Sequence, residues 1–171
     1  MKTIKFYMKK GVLIKDKSVE KLANIYLIKA KNNLTTLKLL SEIQSNKIFR
    51  EKLNLPENYS AYEWITITGY YAMYTSALAL LAKIGFRSKN HAATLFALEE
   101  YFVKDKILDE NSFLLIKNAL LQKQELEKLS DAKHKREIAQ YSITKQTTKD
   151  IASKIQKDAY DFVNKVEEIF G

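Results

Sequence analysis

The chain has 171 residues, with two histidines, His91 and His134, and no cysteine. Disulfides and thiolate metal sites are therefore excluded, and two histidines are too few for a convincing metal site. Neither a metal nor another cofactor is expected. What is left for chemistry is cationic and aromatic. Lys133-His134-Lys135-Arg136 is a basic run, and Tyr141 follows Arg136 five positions on. Its cations can hold a phosphate, and a tyrosine ring can stack on or hydrogen-bond a base. A second set is Arg87-Ser-Lys-Asn-His91, an arginine and a histidine beside a glycine turn. Each also has an ordinary structural reading. Arg136 can pair with Glu137 or Asp131, and the basic run can be a solvated helix surface. His91, near a helix start, can be a cap or a packing residue. No Gly-rich phosphate loop or paired-carboxylate site accompanies them.

Formal charge is +9, from 29 Lys and Arg against 20 Asp and Glu. That balance favours polyanion partners such as RNA or nucleotides, because phosphates exchange their counterions for lysines. Solubility of a lysine-rich surface explains it equally well. With Gly 4 and Pro 1 the chain has few breakers, so long helices are expected and an all-β fold is not. The length suits one domain with a real core. The N-terminus has lysines but no uninterrupted apolar run or cleavage site, so it does not read as a signal peptide, and a cytoplasmic location is expected.

The elements that must position these residues are organised around Ser60–Ile84. From Trp64 to Ala82 this stretch carries no charge. Gly69, Ala72, Ser76 and Ala79 recur at three- and four-residue steps, a stripe of small residues that admits a close neighbouring helix. The other positions include Trp64, Tyr70, Tyr71, Met73, Tyr74, Leu78 and Leu81. A helix apolar all round is expected to be buried on all sides, in the bundle or against a second subunit. The length would also allow a membrane span. Eight hydroxyl side chains in the stretch and amphipathic neighbours argue for a core helix instead, so no membrane is expected.

Residues 1–17 read as a basic N-terminal arm, frayed or loosely docked and able to touch nucleic acid. The rest, 18–171, reads as one helical domain. A first helix is expected from Ser18 to about Gln44–Lys47, stopped before Pro56. The central helix follows, with Ser60 and Glu63 as a capping box and Gly85 as its left-handed stop. A shorter helix is expected over about Lys89–Val103 with Ser88 as cap. A fourth runs from about Ser112 to Tyr141, its inward seam turning from apolar to basic along Ala119, Gln122, Lys133 and Arg136. A fifth starts near Thr147 or Thr148. The sum is an all-α, up-and-down four-helix bundle with an additional short helix.

Three pieces of this chain resemble the HEPN domain family. Gly69-Tyr-Tyr-Ala-Met-Tyr-Thr-Ser-Ala-Leu-Ala-Leu-Leu81 is similar to the family's YYAMFHAARALL helix. Ser88 to Val103 looks like the segment that follows it, and Arg136-Glu-Ile-Ala-Gln-Tyr141 is similar to an RxxADY ending of the fourth helix in one stand-alone prokaryotic branch. The likeness implies a four-helix bundle with a short extra helix, commonly a symmetric dimer, with the fourth-helix motif at a cleft between subunits. Many members are RNases or toxins encoded beside a minimal nucleotidyltransferase that serves as antitoxin. Their catalytic motif is Arg, four to six residues, then His. Such chemistry needs a group to activate the ribose 2′-OH and a cation for the phosphate charge.

Here no histidine follows Arg136, and Tyr141 stands in its place. A tyrosine, with an ordinary pKa of about 10, is a poor base at neutral pH. The leading expectation is thus a HEPN protein without the RNase motif. It would bind nucleotide or RNA through Arg136, Tyr141, Lys135, Lys133 and Arg87, as partner of a nucleotidyltransferase in a toxin–antitoxin-like pair, and it would be a homodimer. The alternatives are a metal-independent RNase toxin using His91 or His134 as a displaced histidine, and a non-catalytic dimeric interaction module.

Overall fold

The computed structural model describes residues 3–135 and 141–171, and their side chains except at 125–135 and 141–147. The fold is helical, as expected. The chain order is α1 (Ile4–Lys9), β1 (Leu13–Lys15), a 3-10 segment (Lys17–Leu22), α2 (Ala23–Ser45), α3 (Lys47–Lys52) and α4 (Tyr62–Lys83). Then come β2 (Phe86–Ser88), α5 (His91–Leu98), a π-helical turn (Glu99–Val103), α6 (Glu110–Lys135) and α7 (Tyr141–Phe170).

The central helix is α4. Its small residues do what their spacing implies. Gly69 faces α7 so closely that a Cβ there would sit 2.9 Å from Ile155 Cγ2 and 3.3 Å from the Ile155 carbonyl oxygen. Ala72, Ser76 and Ala79 are fully buried, with Met73 and Leu80 on neighbouring turns. From α7, Ile155, Ala159, Phe162 and Val166 complete the core; from α2, Ala30 and Leu37 do so. Each large side chain removed from water here contributes about 1.5–3 kcal/mol. Lys31 of α2 pairs with Glu167 of α7 at 2.7 Å, and the Lys83 ammonium donates to the Ile169 carbonyl at 3.0 Å, capping the C-terminal end of α7.

One expectation about α4 is overturned: it is not buried all round. Trp64 is 57% exposed and Tyr71 40%. The helix is long and apolar enough to cross a membrane, yet 72% of its most apolar window lies inside the fold, as in a core helix. Its start also differs. No side chain caps α4, and Ser60 and Glu63 form no capping box. The Ala61 N–H instead donates to Gln44 Oε1 at 2.7 Å, a cap supplied by the end of α2. Its stop agrees with the sequence: Gly85 has φ +73° and donates to the Ala82 carbonyl.

The basic arm is folded rather than frayed. Thr3 caps α1, Tyr7 and Leu13 are buried, and β1 pairs antiparallel with β2, Leu13 opposite Ser88 and Lys15 opposite Phe86. Burial of those two side chains and the strand hydrogen bonds outweigh the local lysine charge. Ser18 caps no helix; Asp16 accepts its N–H and starts the 3-10 segment, with α2 following at Ala23. Asp16 is held below the usual carboxylate range, first by the Ser18 hydroxyl, then by the Ser18 N–H. The stretch before Pro56 contains a further helix, α3, capped by Asn46. Helix α6 starts at Glu110, where Asp109 accepts the Ser112 N–H, and α7 starts at Tyr141 rather than Thr147.

Candidate functional site

The described residues with chemical potential gather where α4, the start of α5 and α6 meet. Gly85 turns the chain back after α4, and β2 carries it to Asn90. The Asn90 side chain, not Ser88 as expected, accepts the Ala93 N–H at 2.8 Å and starts α5. His91 is therefore the first residue of α5, beside the tyrosines of α4.

Tyr70 is buried, and its hydroxyl meets His91 Nδ1 at 2.5 Å. The proton between them is assigned by tautomer. The Tyr74 ring lies 4.4 Å from the imidazole, centroid to centroid, and stacks on Tyr70 at 5.9 Å. Thr94 links the assembly to β2: its hydroxyl lies 2.8 Å from Ser88 Oγ and 3.4 Å from the Tyr74 hydroxyl. Burial is the main cause that pushes the Tyr74 phenol up from its ordinary pKa, so it stays neutral. From α6, the Lys123 ammonium stands 5.7 Å from the Tyr70 ring and 6.0 Å from the Tyr71 ring, within cation–π range.

On the other side of Tyr71 a groove of about 450 Å³ runs between α4 and α2, walled on the α2 side by Tyr26, Lys29, Asn33 and Thr36. Among the described residues, no group of three His, Cys, Asp or Glu could hold a metal ion. The chemistry the cluster can offer is hydrogen bonding, aromatic stacking and one nearby cation.

Of the residues singled out in the sequence, His91 is in this cluster. Arg87 is not joined to it by any contact described. It sits in β2 opposite Ile14 and pairs with Asp16 at 3.3 Å, pinning the strand to the N-terminal segment. Lys133, His134 and Lys135 fall on α6, and Tyr141 opens α7; their side chains lie outside the described residues, as Arg136 does entirely. Two participants went unrecognised in the sequence. Lys123 carried no signal among so many lysines. Thr94 is an ordinary helix residue until β2 brings Ser88 to it. The tyrosines were legible only as core or interface.

A HEPN domain profile matches residues 43–169. A UPF0332 protein from Archaeoglobus fulgidus is 35% identical over 106 residues, covering 62% of this chain and 74% of that protein. No solved structure matches the chain. The matched region takes in α4, the turn to His91, α6 and α7, so the elements that build the tyrosine–histidine cluster are those the profile describes: the chain belongs to the HEPN domain family.

Proposed function

We propose that this HEPN protein is a cytoplasmic nucleotide- or RNA-binding module that lacks the family's RNase motif and works with a nucleotidyltransferase in a toxin–antitoxin-like pair. The observation that carries the binding reading is the Lys123 ammonium beside the Tyr70, Tyr74 and His91 rings. Partly exposed Tyr74 and His91 offer stacking surface to a base, and Lys123 offers a cation to its phosphate. The +9 charge supports a polyanionic ligand, and the basic run Lys133–Arg136 lies further along the same stretch of chain as Lys123. The nucleotidyltransferase rests on the family likeness.

The test is a titration of AMP, ATP and a short single-stranded RNA at low salt, on wild type, Lys123→Ala and Arg136→Ala. Binding that falls with added salt and weakens in the variants supports the reading. No binding of any of the three by wild type rejects it. A small nucleotidyltransferase in the neighbouring open reading frame that co-purifies with this protein supports the pairing; absence of such a neighbour counts against it.

A second reading, a metal-independent endoribonuclease using His91, has one specific support. The Tyr70 hydroxyl holds the imidazole through Nδ1, and a base oriented by a third group is the usual arrangement of an activated pair. RNA cleavage by wild type, lost in His91→Ala, is its signature. Wild type that leaves RNA intact removes it.

A further inference from the structure

The outer face of α4 has the form of a helix-packing seam with no helix on it. Trp64, Ile67, Tyr71, Tyr74 and Leu78 follow one another at steps of three, four, three and four. That is the spacing of apolar positions facing a partner helix across a coiled-coil-like contact. Within the chain nothing among the described residues covers it: Trp64 and Tyr71 are exposed, and Ile67, Tyr74 and Leu78 are half-buried. Ile25 and Ile28, at 57% and 58% exposure, extend the apolar surface over the outside of α2.

We propose that two copies of this chain pair through this face, with the two α4 helices antiparallel about a two-fold axis at Tyr71. Three features select a second copy. The first is residue size along the seam. About Tyr71, Trp64 and Leu78 lie at equal distances on either side, so an antiparallel partner sets the large Trp64 against Leu78 of the partner subunit. Ile67 then packs beside Tyr74 of the partner subunit. A parallel pairing would set tryptophan on tryptophan and leave the leucine end underfilled. The same patch thus complements itself, as a two-fold interface requires.

The second feature is charge. Among the residues lining the groove beside the seam, only Lys29 is charged, and it lies on the α2 wall. A polyanion needs several cations to hold it. Aromatic residues with few charges at the centre and a polar rim are instead the composition of a protein interface.

The third is area. At their exposures, Trp64 and Tyr71 together leave on the order of 200 Å² open. Adding the isoleucines and the groove walls brings the patch toward the ~800 Å² that one partner contributes to a stable interface. It also exceeds what scattered surface residues would show.

The pairing leaves Lys123 at the rim of the shared surface, since its ammonium flanks Tyr71. It does not depend on nucleotide binding, and its test is separate from that one. The full chain is measured by sedimentation velocity at micromolar concentration. The single tryptophan, Trp64, reports burial through its fluorescence, because the chain has Trp 1. Wild type is expected as a dimer whose Trp64 emission shifts to the red on dilution. Tyr71→Glu and Trp64→Glu are expected to weaken dimerisation by roughly 30-fold or more, as central aromatic contacts do. Both sites are exposed in the protomer, so helicity by circular dichroism is expected to be unchanged. Leu121→Glu, an exposed apolar residue on α6, serves as control and is expected to remain dimeric.

The chain has Cys 0, so Tyr71→Cys supplies its only thiol. On the axis it is expected to form an intermolecular disulfide under mild oxidation, whereas Trp64→Cys, opposite a leucine, is not. A wild-type monomer at these concentrations overturns the proposal. So does a dimer indifferent to both glutamates, or a monomer whose Trp64 is quenched by single-stranded RNA. A cross-link at Trp64→Cys but not at Tyr71→Cys rejects the antiparallel register.

Discussion

The two sides of α4 are made from the same uncharged run of residues, and they meet different fates. The inner side carries Gly69, Ala72, Ser76 and Ala79 and is closed by α7 to the point that Gly69 has no room for a methyl group. The outer side carries Trp64 and Tyr71, both still open to water. Small residues let a backbone come near and finish the packing within the chain. Large rings spaced at three and four hold neighbours of the same chain at a distance and present area to something else. Hydropathy treats the two sides alike; side-chain size separates them.

That comparison can be broken by substitution. The largest effect is expected on the inner side. Leu80→Ala removes a fully buried side chain and is expected to destabilise the protomer by about 2–5 kcal/mol in urea unfolding. Gly69→Ala comes next. Its methyl group must displace Ile155 or part the two helices, which outweighs the gain in helix propensity, for a net loss of about 1–2 kcal/mol. If Gly69→Ala proves stabilising, the close approach of α4 and α7 is wrong.

A smaller effect is expected at Asp158 of α7, a buried carboxylate whose pKa is raised chiefly by burial. Because its folded pKa exceeds the unfolded value, the ionised form opposes folding at neutral pH, and that penalty fades as pH falls through the folded pKa toward the unfolded one. Asp158→Asn is therefore expected to gain under about 1 kcal/mol at pH 7 and nothing at acid pH, measured as the shift in urea midpoint. An advantage that grows on acidification would contradict the sign. The smallest effect belongs to the outer side: Trp64→Ala is expected to change protomer stability in dilute protein by no more than about 0.5 kcal/mol. A loss comparable to Leu80→Ala would mean that the two sides do not differ as described.

Much of the fold was legible because it rests on periodicity and local breakers. The helical class, the central helix, its small-residue line and the left-handed Gly85 are properties of short stretches of chain. The errors share a cause. Ser60 and Glu63 have the right spacing for a capping box, yet the N–H of Ala61 is taken by Gln44, seventeen positions earlier. Ser88 was the nearer cap candidate, but pairing with β1 keeps it in a strand and passes the cap to Asn90. The arm looked too basic and short to fold, and only its register against β2 shows why Leu13 is buried. Of the candidate site, His91 could be named in advance; Lys123 and Thr94 could not.

What the sequence determined by itself is therefore what neighbouring residues decide among themselves: helices, their stops, an uncharged core helix, and the absence of a histidine after Arg136. The tertiary structure alone decided which side of α4 is closed, which distant group satisfies each helix end, and that His91, Tyr74 and Lys123 share one place. The reason is that hydrogen bonds and excluded volume act through space. A pattern along the chain shows that a side chain needs a partner, but the partner is chosen by whichever element the folded chain brings within a few ångströms.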